Sequence, residues 1–419
     1  SRLARGPAPP RCLLTSRPPP KMRSLALLGA CALGSAVRVE VEMGACAKLT
    51  YVHLTDMQLG LKEQYSKDAT NWRAEEQMLA GLVKASTGAP LSGVLVGGDM
   101  QNTWPNEKDE KGNRIVGRNR NMKFEKDKPP QPDPDHPNQT DEFLKSGELG
   151  EMQRQSVKSV LGAFGNTDIY FTPGNHDIGD KPDAGTLELY EKTWGPLFQT
   201  WSKEGLLFIQ INSQVYWNSE DPGAQTAKDA QNAFLHKTLL DAQETIKEAP
   251  FTRVVLLTHI PPFMEKHDEP AGWANWAEYD RTHVLELLAE HLAKFGSDKV
   301  KLLWVCGHFH TNVENLGYSY ESTNGHGKLA MDVVVTSSSG TTMWWSGDEG
   351  QGSLAPSRAA KVAAKPVGKA FVEDILGAGG IDKLMQPIPD RSGLRIFSFF
   401  PDCTYKSEWR TLKDAKEQP

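Results

Sequence analysis

Polar side chains that can bind metal ions recur at five places along the chain, each directly after a short apolar run. They are Asp56, Asp99, Asn175, His259, and the pair His308 and His310. Carboxylates and imidazoles bind divalent and trivalent cations, and one carboxylate can bridge two ions about 3.5–4 Å apart. Such a pair of ions stabilises both the attacking and the leaving oxygen in phosphoryl displacement. These residue types therefore indicate a two-metal centre for phosphoryl chemistry.

Each of these blocks alone is a weak signal, because Gly-Asp after a strand is common and a lone histidine is usually a polar residue near a core. The five blocks together, in this order, favour a functional site over a purely structural explanation. Gly98, Gly174 and Gly307 stand directly before ligand positions. Glycine permits a sharp turn and a close approach of the backbone to a bound anion, although a single such glycine is also typical of an ordinary turn.

Predicted strands position these blocks. Apolar runs predict strands over residues 49–54, 93–96, 169–172, 207–211, 254–257, 302–306 and 333–335. Helical spacing of apolar residues predicts helices over residues 72–85, 153–164, 233–248 and 282–295. Strands that alternate with helices imply a largely parallel α/β architecture, in which ligands bind at the carboxyl ends of the strands. The candidate ligands follow those ends, so we expect them to converge.

Residues 48–410 are expected to form a single domain with two inserted stretches. Residues 105–150 are polar, charged and rich in proline, with too little apolar content for a core, and we interpret them as a solvated loop rather than a lid. Their one sequon for glycosylation, Asn138-Gln139-Thr140, is interpreted as a chance match unless the chain is secreted. Residues 346–390 mix Gly, Ala and Lys, with a short helix predicted near residues 372–376.

The N-terminal segment, residues 1–36, is predicted to be a targeting segment outside the fold. It contains arginines but no Asp or Glu, and its apolar run over residues 25–33 is followed by Gly34-Ser35-Ala36. A basic region, an apolar run and small residues at a cleavage site are the layout of a secretory signal, which predicts a mature chain that starts near Val37. An organellar transit peptide and an over-extended gene model with a cytoplasmic product are the alternatives.

Composition excludes several other classes of protein. The chain has 419 residues and a formal net charge of −6, whereas a general nucleic-acid binder would be basic. No apolar run reaches the roughly 18 residues that a membrane span needs, so no span is expected. Five cysteines do not suggest a disulfide framework in a chain of this length. Cys306 lies in a predicted buried strand and is expected to be a core residue, whereas the sequence assigns no role to Cys46 and Cys403.

With their neighbours, the blocks resemble the signature of the calcineurin-like metallophosphoesterase superfamily, and within it a group of serine/threonine-protein phosphatases. The signature blocks are Asp56-Met57-Gln58, Gly98-Asp99, Gly174-Asn175-His176-Asp177, His259 and Gly307-His308-Phe309-His310. Further matches are Leu59-Gly60, Ile178-Gly179, Asn212-Ser213-Gln214, Ile260-Pro261 and Gly393-Leu394-Arg395. The resemblance implies an α/β fold of two packed mixed β-sheets flanked by helices, a four-layer sandwich.

The resemblance also implies a role for each site residue. The first metal would be held by Asp56, Gln58, Asp99 and His310, and the second by Asp99, Asn175, His259 and His308. A hydroxide that bridges the two ions would attack phosphorus in line. His176 would protonate the leaving oxygen, with Asp177 and Asn102 as the other catalytic residues. The two ions would be Mn, Fe, Zn or Mg, and the substrate would be a phosphorylated molecule, with a phosphoprotein as one candidate.

The chain departs from the family pattern at two of the blocks. Gln58 replaces the usual histidine, and its neutral amide oxygen is a weaker donor to borderline ions, which favours Mn, Mg or Fe over Zn at the first position. Asn102 stands where a second Asp would orient the catalytic histidine, and the Arg that usually follows is absent. The second departure weakens the case for the substrate binding of a protein phosphatase.

Aromatic residues in two later segments either form a wall at the mouth of this site or belong to ordinary packing. They are Trp273, Trp276, Tyr279, Trp344 and Trp345. The leading functional hypothesis is a phosphomonoesterase, with phosphoserine and phosphothreonine as candidate substrates. The alternatives are a phosphodiesterase acting on a nucleotide or a lipid headgroup, and an inactive metal-binding scaffold. The intact set of remaining ligands argues against the scaffold.

Overall fold

Strands and helices alternate along the chain, as the apolar patterns predict. The computed structural model describes residues 46–59, 72–86, 90–103, 105, 148–249, 252–340, 355–363 and 392–411. Its strands are β1 (Leu49–Leu54), β2 (Gly93–Val96), β3 (Ile169–Phe171), β4 (Gln199–Lys203), β5 (Leu206–Gln210), β6 (Thr252–Leu257), β7 (Val300–Cys306), β8 (Val313–Glu321), β9 (Lys328–Val335), β10 (Gly393–Phe399) and β11 (Tyr405–Thr411). Its α-helices are α1 (Arg73–Ser86), α2 (Glu148–Gly162), α3 (Asn175–Ile178), α4 (Ala184–Thr193), α5 (Gln214–Trp217), α6 (Pro222–Glu248), α7 (Glu278–Leu292) and α8 (Pro356–Ala363).

These strands form two mixed β-sheets. The first sheet has the order β11-β10-β1-β2-β3, in which β1, β2 and β3 are parallel and β10 is antiparallel to both of its neighbours. The second has the order β4-β5-β6-β7-β9-β8, in which β4 and β8 are antiparallel edge strands beside four parallel ones. The fold class that the resemblance implied is confirmed. The largely parallel sheet inferred from the alternation alone describes only part of each sheet.

The two sheets pack face to face, with helices on their outer faces. In β7, Leu303 and Val305 belong to a buried cluster that also contains Tyr51 of the first sheet. Their neighbours Trp304 and Cys306 belong to another cluster, formed with residues of α6 and α7. This two-residue period is that of a strand buried on both faces. A third cluster packs α1 and α2 on the first sheet, so the layers run helix, sheet, sheet, helix. Cys306 is a buried free thiol, as predicted for a core residue.

Several predicted features lie outside the described residues. They are the targeting segment 1–36, the sequon, most of the stretches 105–150 and 346–390, and Trp344 with Trp345. Within the second stretch, α8 is described and precedes the helix predicted near residues 372–376. All of the described residues belong to one compact unit, Arg38–Pro419. In the part of the chain that the structure describes, no helix combines the length and apolarity of a membrane span.

A disulfide bond joins the residues just before β1 to the turn between β10 and β11 of the same sheet. Cys46, just before β1, is bonded to Cys403 in the turn between β10 and β11, with a Cα–Cα distance of 5.2 Å and a sequence separation of 357. The sequence assigned these two cysteines no role, because pairing across such a separation leaves no mark in local spacing. The bond ties the start of the described chain to its last hairpin.

Reduction of this disulfide is expected to lower the free energy of unfolding by about 2–5 kcal/mol, because a bond that closes a long loop restricts the unfolded chain. Urea unfolding of the wild type with and without a reductant measures the effect. The matched control is the double variant Cys46→Ser/Cys403→Ser, which should resemble the reduced wild type and should not respond to reductant. An unfolding midpoint of the wild type that is the same in both conditions would contradict this prediction.

Candidate metal centre

The seven predicted metal ligands converge at the carboxyl ends of strands from both sheets. Asp56 and Gln58 follow β1, Asp99 follows β2, Asn175 opens α3 after β3, His259 follows β6, and His308 and His310 follow β7. All seven are buried, with exposed fractions between 0% and 8%. Carboxylates, amides and imidazoles that are far apart in the sequence therefore meet in one buried cluster, as the strand-end pattern predicted.

Backbone strain marks the same positions. Five of the seven predicted ligands have a positive φ, at 51° for Asp56, 36° for Gln58, 52° for Asp99, 69° for His308 and 55° for His310. L-amino acids other than glycine rarely adopt this conformation. It persists where the surrounding structure over-determines it, which is common at functional sites. The strained backbone thus aims these side chains into the cluster.

Four donor atoms form the predicted second metal position. His259 Nε2 lies 3.3 Å from Asp99 Oδ1, 3.1 Å from Asn175 Oδ1 and 3.2 Å from His308 Nδ1. One ligand atom each of Asp99, His259 and His308 lies within 4.8 Å of the other two. Two imidazole nitrogens, an amide oxygen and a carboxylate oxygen at such spacing form a donor set suited to a transition-metal cation.

The predicted first metal position lies beside it. His310 Nε2 is 3.2 Å from Asp56 Oδ1. Asp56 Oδ1 and Gln58 Oε1 are buried, and neither accepts a hydrogen bond within the described part of the chain. Buried oxygens without a donor are rare in folded proteins, and a bound cation would satisfy both. The donor chemistry at this position therefore fits a metal ion.

Asp99 lies between the two positions. Its Oδ1 faces His259 of the second position over 3.3 Å, and its Oδ2 accepts a hydrogen bond of 2.7 Å from Gln58 Nε2 of the first. The two oxygens of one carboxylate thus point to different ligand groups. This is the arrangement that a bridging carboxylate needs.

Hydrogen bonds behind the cluster fix which atom each ligand presents. His259 Nδ1 donates to Gly97 O over 2.7 Å, and His308 Nε2 donates to Trp273 O over 2.8 Å. A carbonyl can only accept, so in the neutral rings the opposite nitrogens, His259 Nε2 and His308 Nδ1, carry the lone pairs that face the cluster. Asp56 Oδ2 accepts from Thr55 Oγ1 at 2.6 Å and from His308 N at 2.8 Å, which leaves its Oδ1 for the site.

The pKa values of the cluster show how its charges are balanced in the protein alone. Burial by itself would raise the pKa of Asp99, but His259 and His176 outweigh that effect and hold it below its usual range. Burial would lower the pKa of His259, but Asp99 and Asp56 raise it to about 9. Burial and His259 lower the pKa of His308 to about 4. Because cations bind neutral imidazole, a cation held by His259 would displace a proton, and its binding would weaken as the pH falls.

Asp177, predicted as catalytic, holds two loops of the site together. Its Oδ2 accepts from Asp99 N at 2.7 Å and from Gly174 N at 2.9 Å, and its Oδ1 accepts from Met100 N at 3.1 Å. Burial and the nearby Asp99 raise its pKa to about 8, although these backbone donors favour the charged form. These contacts are those of a positioning residue, which fixes the loop of Asp99 against the turn that carries Asn175.

His176 is oriented by the main chain. Its Nδ1 donates to the carbonyl oxygen of Asn102 over 2.6 Å, and its Nε2 lies 3.9 Å from Asp99 Oδ2. The sequence predicts that Asn102 stands in for an orienting Asp, and the contact that the structure shows comes from its backbone. Any residue at position 102 can supply this carbonyl. His176 is partly exposed and presents Nε2 to the edge of the metal positions.

Comparison with characterised proteins gives matches to one set of curated relatives. Serine/threonine-protein phosphatase CPPED1 of Homo sapiens is 30% identical over 190 residues, which are 45% of this chain and 52% of that protein. The proteins of the same name from Danio rerio and Mus musculus are 27% and 28% identical over 48% and 55% of this chain, and over 57% and 64% of their own lengths. The chain is similar to the CPPED1 phosphatases over about half of its length. The resemblance to the calcineurin-like superfamily is thereby confirmed.

The similarity to CPPED1 is partial, since the chain spans between about half and two thirds of the length of these relatives. No family model matches the chain. A solved structure titled "Structure of PhoD" covers 89% of this chain and 67% of that chain at 12% identity, with a TM-score of 0.45. That likeness is too weak to add to the fold described above.

The aromatic residues that the sequence assigned either to a wall at the site or to ordinary packing lie in three different environments. Trp273 is partly buried, with its ring centroid 5.2 Å from that of His308. Trp276 is fully buried and packs edge-on against Trp304 at 5.4 Å, so it belongs to the core. Tyr279 is 79% exposed. Among the described members, only Trp273 lies against a predicted metal ligand.

The sequence analysis assigned no role to the network of hydrogen bonds that lies behind His310. The buried Arg395 donates from Nη2 to Asn312 Oδ1 over 2.8 Å, and Asn312 Oδ1 also accepts from Ser337 N at 3.0 Å. Ser337 Oγ in turn donates to the carbonyl oxygen of His310 over 2.9 Å. The only sequence signal for this support was the Gly393-Leu394-Arg395 match to the CPPED1-like pattern. The network links the last strand pair to a predicted ligand of the first metal position.

Proposed function

We propose that this chain is a metal-dependent phosphoester hydrolase of the calcineurin-like type. The observation that carries the proposal is the position of Asp99, whose two oxygens face two separate groups of buried metal ligands. The proposal is also supported by the backbone, because five of those ligands have a positive φ. The names of the CPPED1 relatives, which are serine/threonine-protein phosphatases, supply the reaction class.

Each predicted ligand has a place in this proposal. The first cation would be held by Asp56, Gln58, Asp99 and His310, and the second by Asp99, Asn175, His259 and His308. When bound, the two cations would supply positive charge for the phosphoryl oxygens and lower the pKa of water for attack on phosphorus. Gln58 offers a neutral amide oxygen, so we propose that Mn, Mg or Fe is preferred over Zn at the first position.

His176 would hold the proton for the leaving group. Its Nδ1 is committed to the Asn102 carbonyl oxygen, so its Nε2 is the atom that can deliver a proton to an oxygen at the edge of the site. This Nε2 lies 3.9 Å from Asp99 Oδ2. Asp177 would hold the turn that carries His176 against the Asp99 loop, because its carboxylate accepts hydrogen bonds from the backbone of both.

We propose a phosphate monoester as the substrate, with phosphoserine and phosphothreonine as the favoured class on the strength of the relatives' names. The test compares kcat/KM of the Mn-loaded protein for p-nitrophenyl phosphate, bis-p-nitrophenyl phosphate and a phosphoserine peptide. The proposal predicts that the two monoesters are hydrolysed faster than the diester. A higher kcat/KM for the diester would establish a phosphodiesterase, and hydrolysis of none of them would support the scaffold.

We also propose that the chain passes through the secretory pathway. The acid-free segment before residue 37 motivates the proposal, and the Cys46–Cys403 disulfide supports it, because such bonds persist in oxidising compartments. N-terminal sequencing of protein recovered from cells tests it. A chain that begins near Val37 is expected, and one that still carries residues 1–36 would overturn the proposal.

A further inference from the structure

Two histidines and a glutamate meet on the outer face of the second sheet, away from the strand ends that carry the phosphoesterase centre. His236 belongs to α6, and Glu290 and His291 belong to α7. One potential ligand atom of each lies within 4.8 Å of those of the other two. The ring centroids of His236 and His291 are 5.0 Å apart. This side-chain cluster has no part in the chemistry proposed above.

His291 is the fixed member of this cluster. It is 3% exposed, and its Nδ1 is in hydrogen-bond contact with the side-chain amide of Gln243 on α6. Its Nε2 is buried and has no hydrogen-bond partner within the described ranges. A buried polar atom without a partner is rare in folded proteins. Burial holds the pKa of His291 below its ordinary value, so the ring is neutral at pH 7, as a metal ligand must be.

We infer that His236, Glu290 and His291 bind one divalent transition-metal ion of the zinc type, at a site separate from the phosphoesterase centre. Two imidazole nitrogens and one carboxylate oxygen, with water in the remaining position, form a well-attested three-residue donor set for zinc. The ligand atoms must close to about 2.0–2.2 Å from the ion. His236 and Glu290 are exposed and free to rotate inward, while the buried His291 supplies the anchor.

Gln243 would set the tautomer of His291 in the bound state. Ligation through Nε2 places the ring proton on Nδ1, and that proton needs an acceptor. Gln243 Oε1 currently accepts from Lys294 Nζ at 2.7 Å, so the amide would turn its oxygen toward His291 on binding. Lys294 is exposed and can exchange this contact for water. The ion would then tie α6 to α7 across the outer layer.

The experiment measures Zn²⁺ binding to the metal-stripped full chain by titration calorimetry and by elemental analysis after gel filtration. The wild type is compared with His236→Gln, because His236 is exposed and its replacement does not disturb the core. We expect the variant to bind one equivalent fewer, with unchanged hydrolysis of p-nitrophenyl phosphate in Mn²⁺. His283→Gln, which removes another exposed histidine of α7, is the matched control and should bind as much as the wild type.

A second comparison separates this site from the phosphoesterase centre. Asp99→Asn, in which the proposed bridging ligand is lost, should still bind one equivalent of Zn²⁺ with a dissociation constant of about 1 μM or lower. The double variant Asp99→Asn/His236→Gln should bind none, and Zn²⁺ should raise the Tm of the first protein but not of the second. Equal Zn²⁺ contents in the wild type and His236→Gln, or binding to Asp99→Asn only at millimolar Zn²⁺, would overturn the inference.

Discussion

Asp99→Asn is expected to remove both catalytic cations and to lower the rate of p-nitrophenyl phosphate hydrolysis by roughly 10³-fold or more. The two carboxylate oxygens of Asp99 face different groups of predicted ligands. The substitution removes the negative charge that both metal positions share. Cations at such sites contribute several kcal/mol to the stabilisation of the transition state, and each 1.36 kcal/mol is tenfold in rate. Mn²⁺ content and initial rate, measured on the same preparation, check the prediction.

The matched control for this variant is Asp168→Asn. Asp168 is exposed and stands directly before β3, so the same chemical change is made on the same sheet without contact to a predicted ligand. It should keep the metal content and rate of the wild type. If Asp99→Asn instead retains both cations and the full rate, Asp99 is not a bridging ligand and the assignment of the two positions is wrong.

His176→Ala is expected to keep both cations and to lose activity in a way that depends on the leaving group. General acid catalysis contributes about 10²–10⁴-fold and matters most when the leaving group is poor. The serine alkoxide of a phosphoserine peptide needs a proton, whereas p-nitrophenolate leaves unaided. The variant should therefore lose two to four orders of magnitude on the peptide and much less on p-nitrophenyl phosphate.

The two substrates serve as controls for each other, because damage to the metal positions would lower both rates alike. Metal content, determined beside the rates, separates a proton donor from a ligand. Equal losses of rate on the two substrates would show that His176 is not the general acid. Loss of a cation in His176→Ala would make it a ligand, despite the commitment of its Nδ1 to the Asn102 carbonyl oxygen.

Four of the strands that position the site, β1, β2, β6 and β7, could be predicted because nearly all of their residues are buried. β2 is a short apolar run and β6 ends in one, and every residue of both strands is buried. Such runs stand out in a sequence. Their carboxyl ends in a parallel arrangement determine where the next polar residue lies, so Asp99 and His259 could be placed at one sheet edge. A carboxylate and an imidazole at one sheet edge then predict a metal site.

Three of the four edge strands, β4, β8 and β11, were missed for the opposite reason. β4 is intermediate in exposure along its whole length, β8 is largely exposed and carries a register shift between Asn315 and Tyr318, and β11 is mostly intermediate in exposure. Half-exposed strands need no continuous apolar run, and charged residues at a sheet edge protect it from further pairing. Sequences of this kind resemble loops when only apolar periodicity is used.

Contacts made through the backbone or across long separations could not be predicted either. The orienting partner of His176 is the carbonyl oxygen of Asn102, which leaves no trace in residue type. The Cys46–Cys403 pair and the support of His310 through Asn312 and Arg395 depend on how β10 joins the first sheet. Local spacing contains no information on that long-range pairing.

We propose that this cluster hydrolyses phosphate esters only when cations are bound to it. The most direct measurement is a titration of the metal-stripped wild type with Mn²⁺, following p-nitrophenyl phosphate hydrolysis and bound metal together. We expect no hydrolysis above background in the stripped protein, and a rate that rises with Mn²⁺ and reaches its plateau when two equivalents are bound. A full rate in the stripped protein in the presence of chelator, or two bound equivalents without any hydrolysis, would contradict it.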